Sequence, residues 1–234
     1  GRRFSEIDEE YIDARLDKIV EKSVKEVNAG LFETGGRASY MAKKVKRDAR
    51  RSLLLICEHF KKGDFVEKAF ELSFGREGDE LSGMTIELSK NRKIILSGTI
   101  DRVDALPCDE GEYIRVVDYK SSVKTLDLYE IFYGLNLQLI TYLMVVLKSD
   151  IDKKLLPGGV MYLSLENPMI SVKNSDNLSG VEAKIRKKLI MKGMFLNNPE
   201  VMAKMDKDLL SQGKSEIIEV EFDKAGEISK GNVL

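Results

Sequence analysis

Tryptophan is absent from these 234 residues, histidine occurs once, cysteine twice and proline four times. Two cysteines, Cys57 and Cys108, are too few for a disulfide framework or a four-cysteine metal site, which fits an intracellular protein. No apolar run reaches the roughly 18 residues of a membrane span, and no signal peptide opens the chain. The expectation is a soluble, cytoplasmic protein without a membrane partner. Charge of one sign is missing too: 38 Lys and Arg face 39 Asp and Glu. No overall basic field therefore advertises nucleic acid, and any polyanion site must come from local patches. There is no G-x-x-x-x-G-K-[ST] phosphate loop, which excludes ATP hydrolysis here. Internal repeats and low-complexity tracts are lacking as well.

What is present suffices for one large domain or two small ones. Ser5 and Asp8 fit a capping box, followed at helical spacing by Ile12, Leu16, Ile19, Val20, Val24 and Val27. Gly30 and Gly35-Gly36 break that helix, and a second runs from about Arg37 to Lys62 with Met41, Val45, Ala49, Leu53, Ile56 and Phe60 on one stripe. Then the period changes. Phe70, Leu72 and Phe74 alternate with Glu71, Ser73 and Gly75, and MTIELS (84–89) forms another short strand candidate. Two further strands hold Asp101 and Asp118, a helix covers about 127–148, and GGVMYLSL (158–165) is a buried strand. Helices near 179–193 and 199–212 and a last strand, EIIEVEF, complete an α/β chain. Residues 1–62 read as a helical segment packed on a core of residues 63–234, all one structural domain. The abrupt ends suggest a fragment of a larger subunit.

The chemistry-bearing residues are Asp101 in SGTIDRVDAL, and Asp118 and Lys120 in YIRVVDYKSS. Strand alternation puts Asp118 and Lys120 on one face and Tyr119 on the other. If the two strands pair, one sheet edge holds two acids and an amine, which suits a divalent metal and phosphodiester hydrolysis. Composition alone yields about two D-x-K triplets in such a chain. The second, Asp152/Lys154, lies in the polar run SDIDKKLLPGG and reads as a solvated connection. The first follows Ile114, Val116 and Val117. Placing its charges at the end of so apolar a strand costs free energy unless they pair or bind something. A structural ion pair at a strand end remains the bland alternative. In the next helix Ile131, Leu135, Gln138 and Tyr142 follow 4-3-4 spacing. Gln138 is a satisfied core amide or sits at the stripe's margin, or else, with Tyr142, it points at the site.

The ordered series FELSFG (70–75), LSGTIDRVD (96–104), VVDYKSS (116–122) and YGLNLQLITYL (133–143) resembles the RecB-family nuclease domains of the PD-(D/E)XK superfamily. Within it, PGGVMYLSLENPMI (157–170) and KKLIMKGMFLNNPEVMAKMD (187–206) resemble the B subunits of AddAB (RexAB) helicase–nucleases. The resemblance spans roughly residues 60–220. It implies a restriction-endonuclease-like α/β core: a mixed central sheet flanked by helices, with an N-terminal helical segment. It also implies a metal-dependent exonuclease domain acting on single-stranded DNA from unwound duplex ends, for recombinational repair, beside an A-type helicase–nuclease subunit. Asp101, Asp118 and the Tyr119 carbonyl would bind Mg²⁺ or Mn²⁺, with Glu71 a further or outer metal residue. Lys120 would position or deprotonate the attacking water, and Gln138 and Tyr142 would line the site.

The departures are as specific. The family's upstream metal-binding histidine has no counterpart, since His59, in LLICEHFKK, reads as a helix-surface residue. The four cysteines that hold an iron–sulfur cluster in the B subunits are not matched by Cys57, in a helix, or Cys108, in a turn. That cluster is expected in the parent protein, with its ligands outside this chain. KKVKRDARR (43–51) and KIRKK (184–188) are solvated helix faces by default, or else DNA tracks. The competing functions are a stand-alone Cas4-like or phage-type nuclease and a silent DNA- or partner-binding module.

Overall fold

Residues 3–26, 36–149, 153–165, 168–172 and 177–232 are described by the computed structural model. A 3-10 turn at Phe4–Glu6 precedes α1 (Glu9–Glu26). Asp8 Oδ1 accepts the Tyr11 N–H at 2.8 Å, satisfying a donor that the first turn leaves open. Ser5, expected to share that cap, lies inside the 3-10 turn instead. Ile12 and Leu16 bury against Cys57 of α2 (Gly36–Lys62), whose first residue is one of the glycines expected to break the chain. Val27, Gly30, Gly35 and Asp152 lie outside the described residues. The α2 stripe is buried only in its second half. Ile56 and Phe60 enter the main core, whereas Met41 and Val45 remain exposed. Two basic residues of the stretch 43–51 are taken up by α1: Arg50 Nε lies 2.6 Å from Asp13 and Nη2 2.9 Å from Glu9, and Lys46 pairs with Asp17.

The strands follow as β1 (Val66–Phe74), a hairpin of β2 (Met84–Ser89) and β3 (Arg92–Leu96), then β4 (Gly98–Cys108) and β5 (Gly111–Lys120). Cys108 thus closes a strand rather than occupying a turn. Next come α3 (Leu128–Phe132), α4 (Gln138–Leu147), β6 (Leu155–Ser164), α5 (Leu178–Leu189) and β7 (Lys192–Phe195). The central sheet has the order β1-β4-β5-β6-β7 and is antiparallel except between β5 and β6. That parallel join needs a crossover, which α3 and α4 supply.

Four expectations are corrected here. The single helix over 127–148 is two, because Gly134 (φ 78°) and Asn136 (φ 55°) adopt left-handed conformations that a helix cannot continue through. The 179–193 helix stops at Leu189, and β7 pairs with β6 so tightly that a Cβ on Gly193 would sit 1.9 Å from the Val160 carbonyl oxygen. The 199–212 helix splits into α6 (Pro199–Met205) and α7 (Asp208–Gln212), and EIIEVEF forms only the short β8 (Glu221–Phe222), paired with β9 (Ile228–Lys230). Asp206, between α6 and α7, accepts the Ser215 hydroxyl at 2.6 Å and the Asp208 N–H at 3.0 Å.

Each face of the sheet carries its own core. Phe60 of α2, Phe65, Val117, Met161 and Leu163 build one, while Leu139, Val145 and Val146 of α4 cover Val103, Ile114, Val116 and Val160 on the other. The α2 face also buries charge. Asp104, with no exposure, accepts from Arg102 Nε at 2.8 Å and from Arg115 Nε at 2.9 Å. The guanidinium of Arg102 stacks on Phe60 at 4.3 Å and that of Arg115 on Phe65 at 4.6 Å. Burial alone would raise the Asp104 carboxyl, but the two guanidiniums outweigh it and hold it below its ordinary value. His59 belongs to this face. It is 1% exposed, not a surface residue, and neither ring nitrogen has a partner. Burial, reinforced by Arg102 and Arg115, keeps its imidazole neutral by driving its pKa well below the usual value.

Candidate active site

The site forms at the carboxyl end of β5, beside its parallel neighbour β6 and under the first turn of α4. In open α/β sheets, ligands bind at the carboxyl ends of parallel strands. Alternation in β5 works as the sequence suggests. The Tyr119 ring packs toward the α2-side core, leaving Asp118 and Lys120 on the α4 side. Asp118 is 2% exposed in its side chain, and its Oδ2 lies 2.6 Å from Lys120 Nζ. That contact is an ion pair outside ideal hydrogen-bond alignment, so the Lys120 ammonium is the charge that compensates this buried oxygen. Burial pushes the Asp118 carboxyl above its ordinary value, and Asp101 adds to this while Lys120 opposes it.

Asp101 reaches the site by a different route. Phe70 and Arg102 are paired across β1 and β4 on the α2 side, where Phe70 meets Phe4 and Arg102 meets Phe60. The next pair, Leu72 and Ile100, packs on the α4 side. The ladder turns over between them, at Glu71 (φ 50°) and Asp101. Such irregularities re-aim a side chain. Asp101 points along the sheet toward β5, and its Oδ2 accepts the Tyr119 N–H at 2.7 Å. The β4–β5 ladder has its last pair at Arg102↔Val117, just before this bond. Because Lys120 uses its carbonyl for the N–H of Leu165, just past the end of β6, strand alternation directs the Tyr119 carbonyl to the β4 side, where Asp101 is.

Gln138 and Tyr142 complete the row. Lys120 Nζ donates to Gln138 Oε1 at 3.0 Å, and Gln138 Nε2 donates to the Tyr142 hydroxyl at 2.8 Å. Gln138 is exposed at the first residue of α4, so it is not a core amide, and Leu135, expected on the same stripe, is 60% exposed in the preceding loop. Tyr142 is steadied by an edge-on contact with Phe74 at 5.7 Å.

Asp101, Asp118, Lys120, Tyr119 and Gln138 are therefore brought together. Glu71 is not: it is exposed, and among the described residues no group of three His, Cys, Asp or Glu is placed to hold a metal. The second D-x-K triplet separates from the site at Lys154, which pairs with Glu110 at 2.5 Å. The family model that matches residues 2–232 is that of the PD-(D/E)XK nuclease superfamily. The chain belongs to this superfamily. Curated relatives are the B subunits of ATP-dependent helicase/deoxyribonucleases. That of Alkaliphilus oremlandii is 35% identical over 97% of this chain. That of Clostridium novyi is 35% identical over 100%, and that of Clostridium botulinum (strain Langeland) 36% over 99%. The chain spans 20% of the length of each relative.

For a PD-(D/E)XK nuclease, two carboxylates and the Tyr119 carbonyl are hard oxygen donors that fit Mg²⁺, an ion that keeps several waters and takes few protein ligands. The buried Asp118 carboxylate, balanced by a single ammonium on its Oδ2 and raised in pKa by burial and by Asp101, is the group that best supports the fit. Sequence reasoning missed three features. Tyr162 of β6 lies in register with Asp118, 2% exposed and with an unpartnered hydroxyl. Lys124 sits above the Tyr162 ring. Tyr129, Phe132 and Tyr133 stand 77%, 82% and 74% exposed on the segment leading to Gln138. A lone tyrosine in the apolar run GGVMYLSL was the available signal for the first; its register with Asp118 was not readable.

Proposed function

We propose that this domain hydrolyses phosphodiester bonds of single-stranded DNA with a divalent metal, Mg²⁺ or Mn²⁺, as the nuclease domain of a helicase–nuclease that processes double-strand ends. The observation that carries this reading is Lys120, held between a buried carboxylate and Gln138. Asp101, Asp118 and the Tyr119 carbonyl would hold the cation. When bound, it lowers the pKa of water and draws charge from the phosphoryl oxygens. Lys120 orients the attacking water and faces the negative charge that develops on phosphorus. Gln138 fixes the Lys120 ammonium, and Tyr142 fixes Gln138. Glu71 is left an outer role, since it faces solvent.

The three exposed aromatic side chains support a single-stranded substrate. Unpaired bases stack on such rings whatever their sequence. Phe132 and Tyr133 already form an edge-on pair at 5.3 Å. The similarity to B subunits of helicase/deoxyribonucleases supports an A-type helicase–nuclease partner and cytoplasmic DNA repair. No helix among the described residues is long and apolar enough to cross a membrane. The iron–sulfur cluster belongs to the parent protein in this reading, because Cys57 is spent packing against Ile12 and Leu16. A 5′-labelled single strand incubated with the chain in Mg²⁺ tests the proposal. It is cut, EDTA stops the cutting, and Asp118→Ala abolishes it. Cutting that survives in Asp118→Ala removes this assignment.

A further inference from the structure

We propose that Lys124, carried on the ring of Tyr162, is a second phosphate-binding cation of this site, seating the phosphate next to the one being cut; the inference rests on the nuclease reading above. The Tyr162 ring lies close to two ammonium groups: Lys120 Nζ is 5.6 Å and Lys124 Nζ 5.2 Å from its centroid. Both are within cation–π range. The two lysines differ in what else they touch. Lys120 is committed to Asp118 and Gln138. Lys124 forms no ion pair or hydrogen bond among the described residues; its ammonium lies over the ring and acts on the Asp118 carboxylate through its charge alone. A ring face holds an ammonium without consuming its N–H donors, so all three stay available to an oxyanion.

Position supports the assignment. Lys124 follows Lys120 by four residues, on the segment leaving β5. Next to it, Val123 opens a groove of about 680 Å³ also lined by Lys184, Lys187, Lys188 and Lys192. A strand with one phosphate at Asp118 and the next at Lys124 continues into that basic groove. Tyr162 is itself fixed: it is 2% exposed and paired in register with Asp118. The cation platform and the carboxylate therefore move as one unit. Tyr162 acts through the lysines and is a positioning residue.

The test is equilibrium binding of a fluorescein-labelled dT20 strand to this chain in EDTA, over a range of salt. One lost lysine–phosphate contact reduces the slope of log K against log salt by about 0.7 for a single strand. Lys124→Ala should lose affinity and reduce the slope by about that amount, while Lys124→Arg restores both. Tyr162→Phe keeps the ring face and should match the unsubstituted chain, whereas Tyr162→Leu should weaken binding. Thermal denaturation of each variant establishes that it is folded. An unchanged slope and affinity in folded Lys124→Ala overturns the subsite, even if the chain cuts DNA. A chain that shows the slope change but cuts no DNA keeps the subsite and loses the nuclease reading.

Discussion

Asp101 Oδ2 accepts the backbone N–H of Tyr119 at 2.7 Å, just beyond the last pair of the β4–β5 ladder. The carboxylate replaces a strand's carbonyl as the partner of that N–H, which would couple the proposed metal ligand to sheet closure. Asp101→Asn keeps an acceptor oxygen but not the charge; Asp101→Ala loses both. Asp101→Ala should therefore be the less stable variant in urea, by about 1 kcal/mol, the low end of the cost of an unsatisfied donor, because this N–H is only part-buried. Both should lose stabilisation by Mg²⁺.

Gln138 holds Lys120 from the first turn of α4. Gln138→Ala frees the ammonium to shift by an ångström or more, a displacement that costs on the order of 10²-fold in rate. Steady-state cleavage should show a fall of about that size in kcat, with Tyr142→Phe falling less.

Asp104 compensates two guanidiniums that are wholly inside the protein. Its removal leaves both uncompensated, and breaking a buried pair in this way costs about 3–5 kcal/mol. Urea denaturation of Asp104→Ala should show that loss, provided enough folded chain remains; expression only as insoluble protein is the same outcome in its extreme form.

His59 gives the stability a pH dependence of known sign. Its pKa is depressed by folding, so above its unfolded pKa of roughly 6.5 both states are neutral and nothing is lost. Below that value the unfolded chain takes up a proton that the folded protein refuses. Stability should fall between pH 7.5 and 5.5, by at most about 1.4 kcal/mol, the full cost of one proton taken up by the unfolded chain alone. Because this is the chain's one histidine, the fall should disappear in His59→Leu.

Much of the site was legible because it depends on local alternation. The period of two in VVDYKSS placed Asp118 and Lys120 together, and the apolar residues before them marked a central strand. The helical period likewise related Gln138 to Tyr142. What depends on partners distant in sequence was not legible. Asp101 is aimed by the turnover of the β1–β4 ladder at Glu71, and a register with that irregularity is fixed by packing on both faces. The Arg102–Asp104–Arg115 cluster required the pairing of two strands and the arrival of Phe60 and Phe65 over them. Two misreadings did have a sequence signal. The glycine in YGLN broke the 127–148 helix, and His59, three residues after Ile56 and next to Phe60, shares their inward side.

The central claim is that Asp118 and Asp101 hold a divalent cation, and thermal denaturation under Mg²⁺ titration tests it most directly. Mg²⁺ at about 100 times its dissociation constant should stabilise the folded chain by about 2.7 kcal/mol. That stabilisation should be absent in Asp118→Ala and retained in Lys120→Ala. Equal stabilisation of the unsubstituted chain and Asp118→Ala would contradict the account.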